Sequence, residues 1–346
     1  TEEPDVTKSR LQRADVTRCH GPPGQPPNPL RGLQPDLVWV SLQGNSIKDI
    51  PQHTFKTRKN LEKLDLSENA IEELPNNLFN GSITIRDLNL AFNNLKTLLP
   101  QTFRGLSVSR LYLPRNQLEN LDDRAFVGIG HTLEHLDLEH NFLTSIPKAV
   151  THLKKLKFLY MSSNRIPSVD DSAFDSFAPS LKAISLSGNQ LTSIPSGALR
   201  PCRKLLHLNL GYNQITDLNE TNFEVWAGHL DTLVLRNNKI LESSGFVELQ
   251  ELFHYVRKLR KLDLSSTGLK QVPPLPLPDL KVLCLSDNLI NSVPSSNVEN
   301  LQQLRYLHFD RNQFVSVPSH VWPALPRLKF LNISSNPIKV RNLYFT

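Results

Sequence analysis

The chain has 346 residues, 39% of them hydrophobic, with 39 Lys and Arg against 33 Asp and Glu for a formal charge of +6. The basic excess is mild and scattered, with no block of five like charges, so no nucleic-acid partner is expected. No apolar run reaches 18 residues, which argues against membrane insertion by this segment, and Cys19, Cys202 and Cys284 lie too far apart for a zinc site or a disulfide framework.

In chain order, residues 1–36 come first. Pro crowds the stretch from Pro22 to Pro35, which reads as a flexible Pro-rich leader. Ala14-Asp15-Val16-Thr17-Arg18-Cys19 is a candidate strand within it.

From residue 37 onward the pattern L-x-x-L-x-L-x-x-N-x-L recurs thirteen times. Its Asn slot is filled by Asn45, Asn69, Asn93, Asn116, Asn141, Asn164, Asn189, Asn213, Asn238, Thr267, Asn288, Asn312 and Asn336. The spacing is 23–25 residues except for one step of 29 and one of 21. A fixed period of this length marks a stacked repeat. In Leu64 and Leu66 the apolar positions alternate at period two, as in a strand with one buried face. The Asn ends the strand, where its side chain can satisfy backbone groups of the neighbouring coil. Pro51, Pro75, Pro147, Pro195, Pro294 and Pro318 then set up an extended or short helical return. Phe55, Phe79, Phe103, Phe126, Phe174 and Phe223 plug the outer side. No coil buries its apolar edge alone, so neighbours must stack.

These residues resemble the extracellular class of leucine-rich repeats, the class of Toll-type receptor ectodomains, Slit, small proteoglycans, chaoptin and the acid-labile subunit. The resemblance covers residues 37–340 and implies an α/β leucine-rich-repeat solenoid, a horseshoe of about thirteen repeats with a parallel concave β-sheet. It offers a second reading of residues 1–36, as a degenerate amino-terminal cap whose strand closes on Cys19; whether Cys19 is disulfide-bonded stays open. One coil departs from the class. Ile146-Pro147-Lys148-Ala149-Val150 lacks the Phe and looks like the intracellular plant-type variant.

Within the coil that follows residue 126, His131-Thr132-Leu133-Glu134-His135 matches the H-x-x-E-H pattern of zinc proteases. That chemistry needs both His on one helical face, whereas Leu133 begins a repeat strand, so the match is a coincidence. No metal, cofactor or catalytic residue is expected, and the chain is not an enzyme. The irregular coils span 239–280. Phe246, Leu249, Leu252, Phe253 and Val256 recur at helical spacing, and Pro273, Pro274, Pro276 and Pro278 favour a polyproline-like return. After Asn336 no cysteine-bearing cap follows, so more chain is expected beyond Thr346. Asn80, Asn219 and Asn332 head N-glycosylation sequons, compatible with secretion without being evidence for it.

The repeat register exposes a binding surface on the concave sheet. One candidate group is Phe92, Tyr112, Arg115, His135, Phe158 and Tyr160; a second is Arg305, Tyr306, His308 and Phe330. Aromatic and Arg side chains dominate interface energetics, although aromatics there also pack along a sheet with their neighbours. Charge separates too. Acids, among them Glu62, Asp65, Glu68, Asp87, Glu134, Asp137 and Glu139, prevail in coils two to five, and bases prevail afterwards. The expected partner is another protein, as ligand, receptor or second copy. The expected role is an extracellular or cell-surface receptor or adhesion module, with a cytosolic scaffold as the alternative.

Overall fold

Each repeat folds as its pattern dictates: a strand of three to seven residues turns at the Asn slot, and in all but the last repeat its central apolar residue is buried. The computed structural model describes residues 37–52, 54–55, 60–76, 78–79, 81, 83–216, 223–240 and 246–339. The Ala14–Cys19 segment and the rest of residues 1–36 lie outside them. Contacts group the chain into two compact units, one running to residue 143 and including 147–156, the other taking 144–146 and residues from 157 on.

The first unit carries β1 (Trp39–Ser41), β2 (Asn60–Asp65), β3 (Ile83–Asn89), β4 (Thr97–Leu98), β5 (Leu106–Tyr112), β6 (Asn120–Leu121) and β7 (His135–Asp137). Strands β1, β2, β3, β5 and β7 pair in parallel, with Val40, Leu64, Leu88, Leu111 and Leu136 aligned in one buried row. β4 and β6 form a separate parallel pair. The second unit carries β8 (Phe158–Tyr160), β9 (Ala183–Ser185), α1 (Ser196–Leu199), β10 (His207–Asn209), α2 (Phe223–Trp226), β11 (Thr232–Val234), α3 (Phe246–Tyr255), β12 (Lys261–Asp263), β13 (Val282–Cys284), β14 (Tyr306–His308) and β15 (Phe330–Asn332). Its eight strands are also parallel and in register, from Leu159 to Leu331. The leucine-rich-repeat solenoid expected from the sequence is thus the observed fold, with thirteen parallel strands.

The Asn side chains bind each coil to the one before it. Asn93 Nδ2 donates to Leu66 O of the preceding coil (3.0 Å) and to Leu90 O of its own (3.1 Å). Its Oδ1 accepts from Ile71 N (3.0 Å), again in the preceding coil. Asn213 repeats the arrangement in the second unit, with Leu186 O at 2.9 Å, Leu210 O at 3.0 Å and Leu191 N at 3.0 Å. These contacts satisfy backbone groups that would otherwise be buried unpaired. Thr267 lacks the amide. Its hydroxyl donates to Leu264 O of its own coil (2.7 Å), and among the described residues it makes no side-chain bond to coil nine.

The outer side is closed as the sequence suggests. Phe55, Phe79, Phe103, Phe126, Phe174 and Phe223 are all buried. The first four stack in file, with ring centroids 5.4, 6.1 and 6.0 Å apart. In the coil without the Phe, a short 3-10 helix at Lys148–His152 buries Ala149 and Val150 in its place. α3 buries Leu249, Leu252 and Phe253, the 3.6-residue periodicity visible in the sequence. Residues 273–278 form neither helix nor strand, and Val272, Leu275 and Leu277 pack inward from this extended run.

Candidate protein-binding face

On each strand the residues either side of the central Leu point away from the core, as the period-two geometry requires. The turn adds a third outward position. The residue before every Asn slot has a left-handed backbone, with φ between 52° and 71° from Gly44 to Ser335. Only two of these thirteen are glycines, Gly44 and Gly188. The others, Phe92, Arg115 and Tyr212 among them, each carry a side chain on backbone that costs an L-residue about 1–2 kcal/mol.

In the first unit four of the residues expected to bind come together. Phe92 is 51% exposed, and the Arg115 guanidinium lies over its ring, 5.3 Å from the centroid. Tyr112 and His135 sit on β5 and β7, one strand apart, with ring centroids 5.0 Å apart. Burial, and then the neighbouring Arg110 charge, pushes the His135 imidazole below its usual value. Arg110 grips Asp87 with both arms, and this hydrogen bonding raises the guanidinium further. Asp137, beside Tyr112 in the strand register, is pushed up to about 6 by burial, against the lowering effect of its hydrogen bond from Glu139 N.

The second unit holds the remaining candidates. Phe158 and Tyr160 flank buried Leu159 on β8, and both are half-buried. Tyr306 is 45% and Phe330 is 44% exposed, with centroids 6.3 Å apart. His308 lies 5.1 Å from Phe330, and Arg305 is exposed at the start of β14. The outward-face reading counted Arg236 among the bases of the later coils and left out Tyr212. Tyr212 is 49% exposed and carries the Arg236 guanidinium 5.0 Å from its ring centroid. The pair matches Phe92 and Arg115 in kind, and its signal was available: both aromatics directly precede an Asn of the ladder.

Other expectations fall differently. His131 lies in a turn and His135 in β7, so the H-x-x-E-H segment is not helical. Among the described residues no group of three His, Cys, Asp or Glu is placed to hold a metal, and no helix is long and apolar enough to cross a membrane. Burial pushes the free thiols of Cys202 and Cys284 up to about 12 and about 11, far from nucleophilic use at neutral pH. Asn80 and Asn219 lie outside the described residues. Asn332 is half-buried, and its Nδ2 donates to Asp310 Oδ1 at 2.9 Å.

The chain is similar to podocan of Mus musculus, 29% identical over 337 residues, covering 89% of this chain and 53% of podocan. It is also similar to chaoptin of Drosophila melanogaster, 30% identical over 142 residues, 40% of this chain and 10% of chaoptin. The chain therefore spans about half of one relative and a tenth of the other. Among solved structures, one of the Drosophila Toll–Spatzle complex matches with a TM-score of 0.71 at 22% identity, over 88% of this chain and 42% of that one. At that identity the likeness is one of fold. The family described as leucine rich repeat matches residues 35–95, 107–166, 162–215, 179–240 and 278–338, most of the chain. The chain belongs to the leucine rich repeat family.

Proposed function

We propose that this chain is a protein-binding module of an extracellular or cell-surface protein, working as receptor or adhesion ectodomain through the outward face of its strands. The observation that carries this reading is the set of large aromatics left in solvent there, Phe92, Tyr212, Tyr306 and Phe330. Such groups mark interfaces when no internal packing requires them. Nothing in the described residues suggests catalysis in their place. The relatives point the same way: one similar protein is a Toll-like receptor 3, and two similar structures are the Toll–Spatzle complex and an octameric complex of a leucine-rich-repeat chain with Latrophilin 3 and Unc5D.

The face is tested by Phe92→Ala with Tyr112→Ala, which should weaken binding of a partner protein at least tenfold while the melting temperature changes little. Unchanged affinity removes the first-unit face from the proposal. Compartment is tested by expression through a secretory route, with folded product and glycan on one or more of Asn80, Asn219 and Asn332 as the expected result. A folded product from a reducing cytosol and misfolding in the secretory route would favour the cytosolic scaffold, the reading that the Phe-less coil at 146–150 supports.

A further inference from the structure

The last three coils combine the second aromatic group with three cations that make no ion pair among the described residues. Lys281, Arg305 and Lys329 occupy the same position, one residue before Val282, Tyr306 and Phe330, which are register partners across β13, β14 and β15. The backbone fixes them as neighbours: Arg305 N donates to Lys281 O and Lys329 N to Arg305 O, both at 2.9 Å. None of the three makes an ion pair among the described residues, whereas nearby Arg260 meets Asp231 at 3.4 Å and Arg311 meets Asp310 at 2.9 Å. Beside the row stand Tyr306, His308 and Phe330.

The geometry points to an acidic helix of a partner protein as the occupant of this surface, a refinement that rests on the protein-binding reading above. Charge complementarity selects acids, and the exposed rings select a segment that also carries apolar side chains. Spacing selects the helix. Adjacent strands lie about 4.8 Å apart, so three cations span about 10 Å. Acids at i, i+4 and i+7 of a helix span about 10.5 Å at 1.5 Å per residue. Alternate acids of an extended peptide span about 13 Å, at about 3.3 Å per residue. A sulfated polysaccharide would use the cations and leave the rings idle. A single strand of nucleic acid needs open ring faces, but Phe330 lies against both Tyr306 and His308.

The test uses the whole chain and a stapled 15-residue helix with Glu at i, i+4 and i+7 and Leu and Phe on the adjoining stripe. It should bind in a salt-sensitive manner. Binding should fall at least tenfold when its Glu are changed to Gln, when the chain carries Lys281→Glu, Arg305→Glu and Lys329→Glu, or when it carries Tyr306→Ala and Phe330→Ala. Four of the five positions are exposed and Lys281 is half-buried, so melting curves should change little; Lys281→Gln alone serves if the triple variant fails to fold, with a threefold loss expected. No binding of the helix overturns the proposal. So does tighter binding of an alternating-acid extended peptide, a heparin oligosaccharide or oligothymidine, or self-association of the chain abolished by the same variants. Because the protein-binding test uses Phe92 and Tyr112 and a natural partner, loss of either conclusion leaves the other readable.

Discussion

Each unit carries its own run of in-register strands, and the two differ in what hangs on them. In the first, charges are matched across strands, Arg110 with Asp87 and Arg86 with Glu62 at 3.5 Å, and within β2, Lys63 with Asp65 at 3.9 Å. In the second, Lys281, Arg305 and Lys329 stand just before the last three strands and make no ion pair among the described residues. Behind the strands, the first unit runs a file of four stacked Phe, whereas the second uses local pairs, Phe174 with Phe177 and Phe223 with Trp226, then α3 and an extended Pro run. The strands stay in register through all of these outer walls. Face chemistry and outer wall are therefore free to vary so long as the Leu and Asn positions hold.

The sharpest way to break this comparison is in the Phe file. Phe103→Ala removes a ring stacked on both sides and should cost about 4 kcal/mol. Phe174→Ala removes one with a single ring partner and should cost about 1 kcal/mol less, the size of one aromatic pair. Urea unfolding of both variants measures the difference, and equal losses would mean that the file adds nothing beyond burial. Next is the ladder itself. Asn116→Ala strands Leu95 N, takes one of two amide donors from each of Leu90 O and Leu113 O, and should cost about 2 kcal/mol. The complementary change, Thr267→Asn, supplies an amide to coil nine and should gain about 1 kcal/mol, read as a higher urea midpoint.

Two carboxylates oppose each other in pH. Asp137 of the first unit titrates near 6 when folded, above the ordinary carboxylate value, because it is buried. Between pH 4 and 6 the folded chain holds a proton there that the unfolded chain has lost, so stability falls as pH rises through this window. Asp137→Asn should flatten that fall, by about 1 kcal/mol between pH 4 and 7. Asp287 of the second unit is lowered by its hydrogen bond to Arg311, so its contribution is present above the unfolded value and is lost as pH falls through the lower folded one. Its partner Arg311 is well exposed, so solvent screens the pair, and Asp287→Asn should leave the melting profile almost unchanged. A small effect of the opposite sign is expected at the turn. Phe92→Gly relieves left-handed strain and forfeits the Arg115 contact, for a net gain of about 0.5 kcal/mol in melting experiments. Weaker partner binding by a more stable variant would show that Phe92 is kept for recognition.

Most of the fold was legible because each Leu and Asn does the same job every 23–25 residues, and a role repeated at fixed spacing is visible without coordinates. α3 was legible for a related reason, since Leu249, Leu252 and Phe253 share one helical face. The site was legible only as a set of outward positions. That Tyr112 meets His135, or that Arg110 turns to Asp87 and leaves Arg115 for Phe92, depends on side-chain rotamers across coils, which no local pattern encodes. The left-handed residue before each Asn was also hidden, because Phe, Arg and Tyr in that slot contradict local backbone preference and only the closed ladder enforces it.

The ladder also has a direction. Each Asn serves backbone groups of the coil before it, so coil n is completed by coil n+1. Removing coils from the front leaves the first remaining Asn bonded to carbonyls of its own coil, with an oxygen that can turn to water. Removing them from the back orphans main-chain groups inside the last remaining coil. During synthesis each coil then waits for its successor to emerge from the ribosome before its own backbone is satisfied, and a library of shortened chains should tolerate trimming at the front better than at the back.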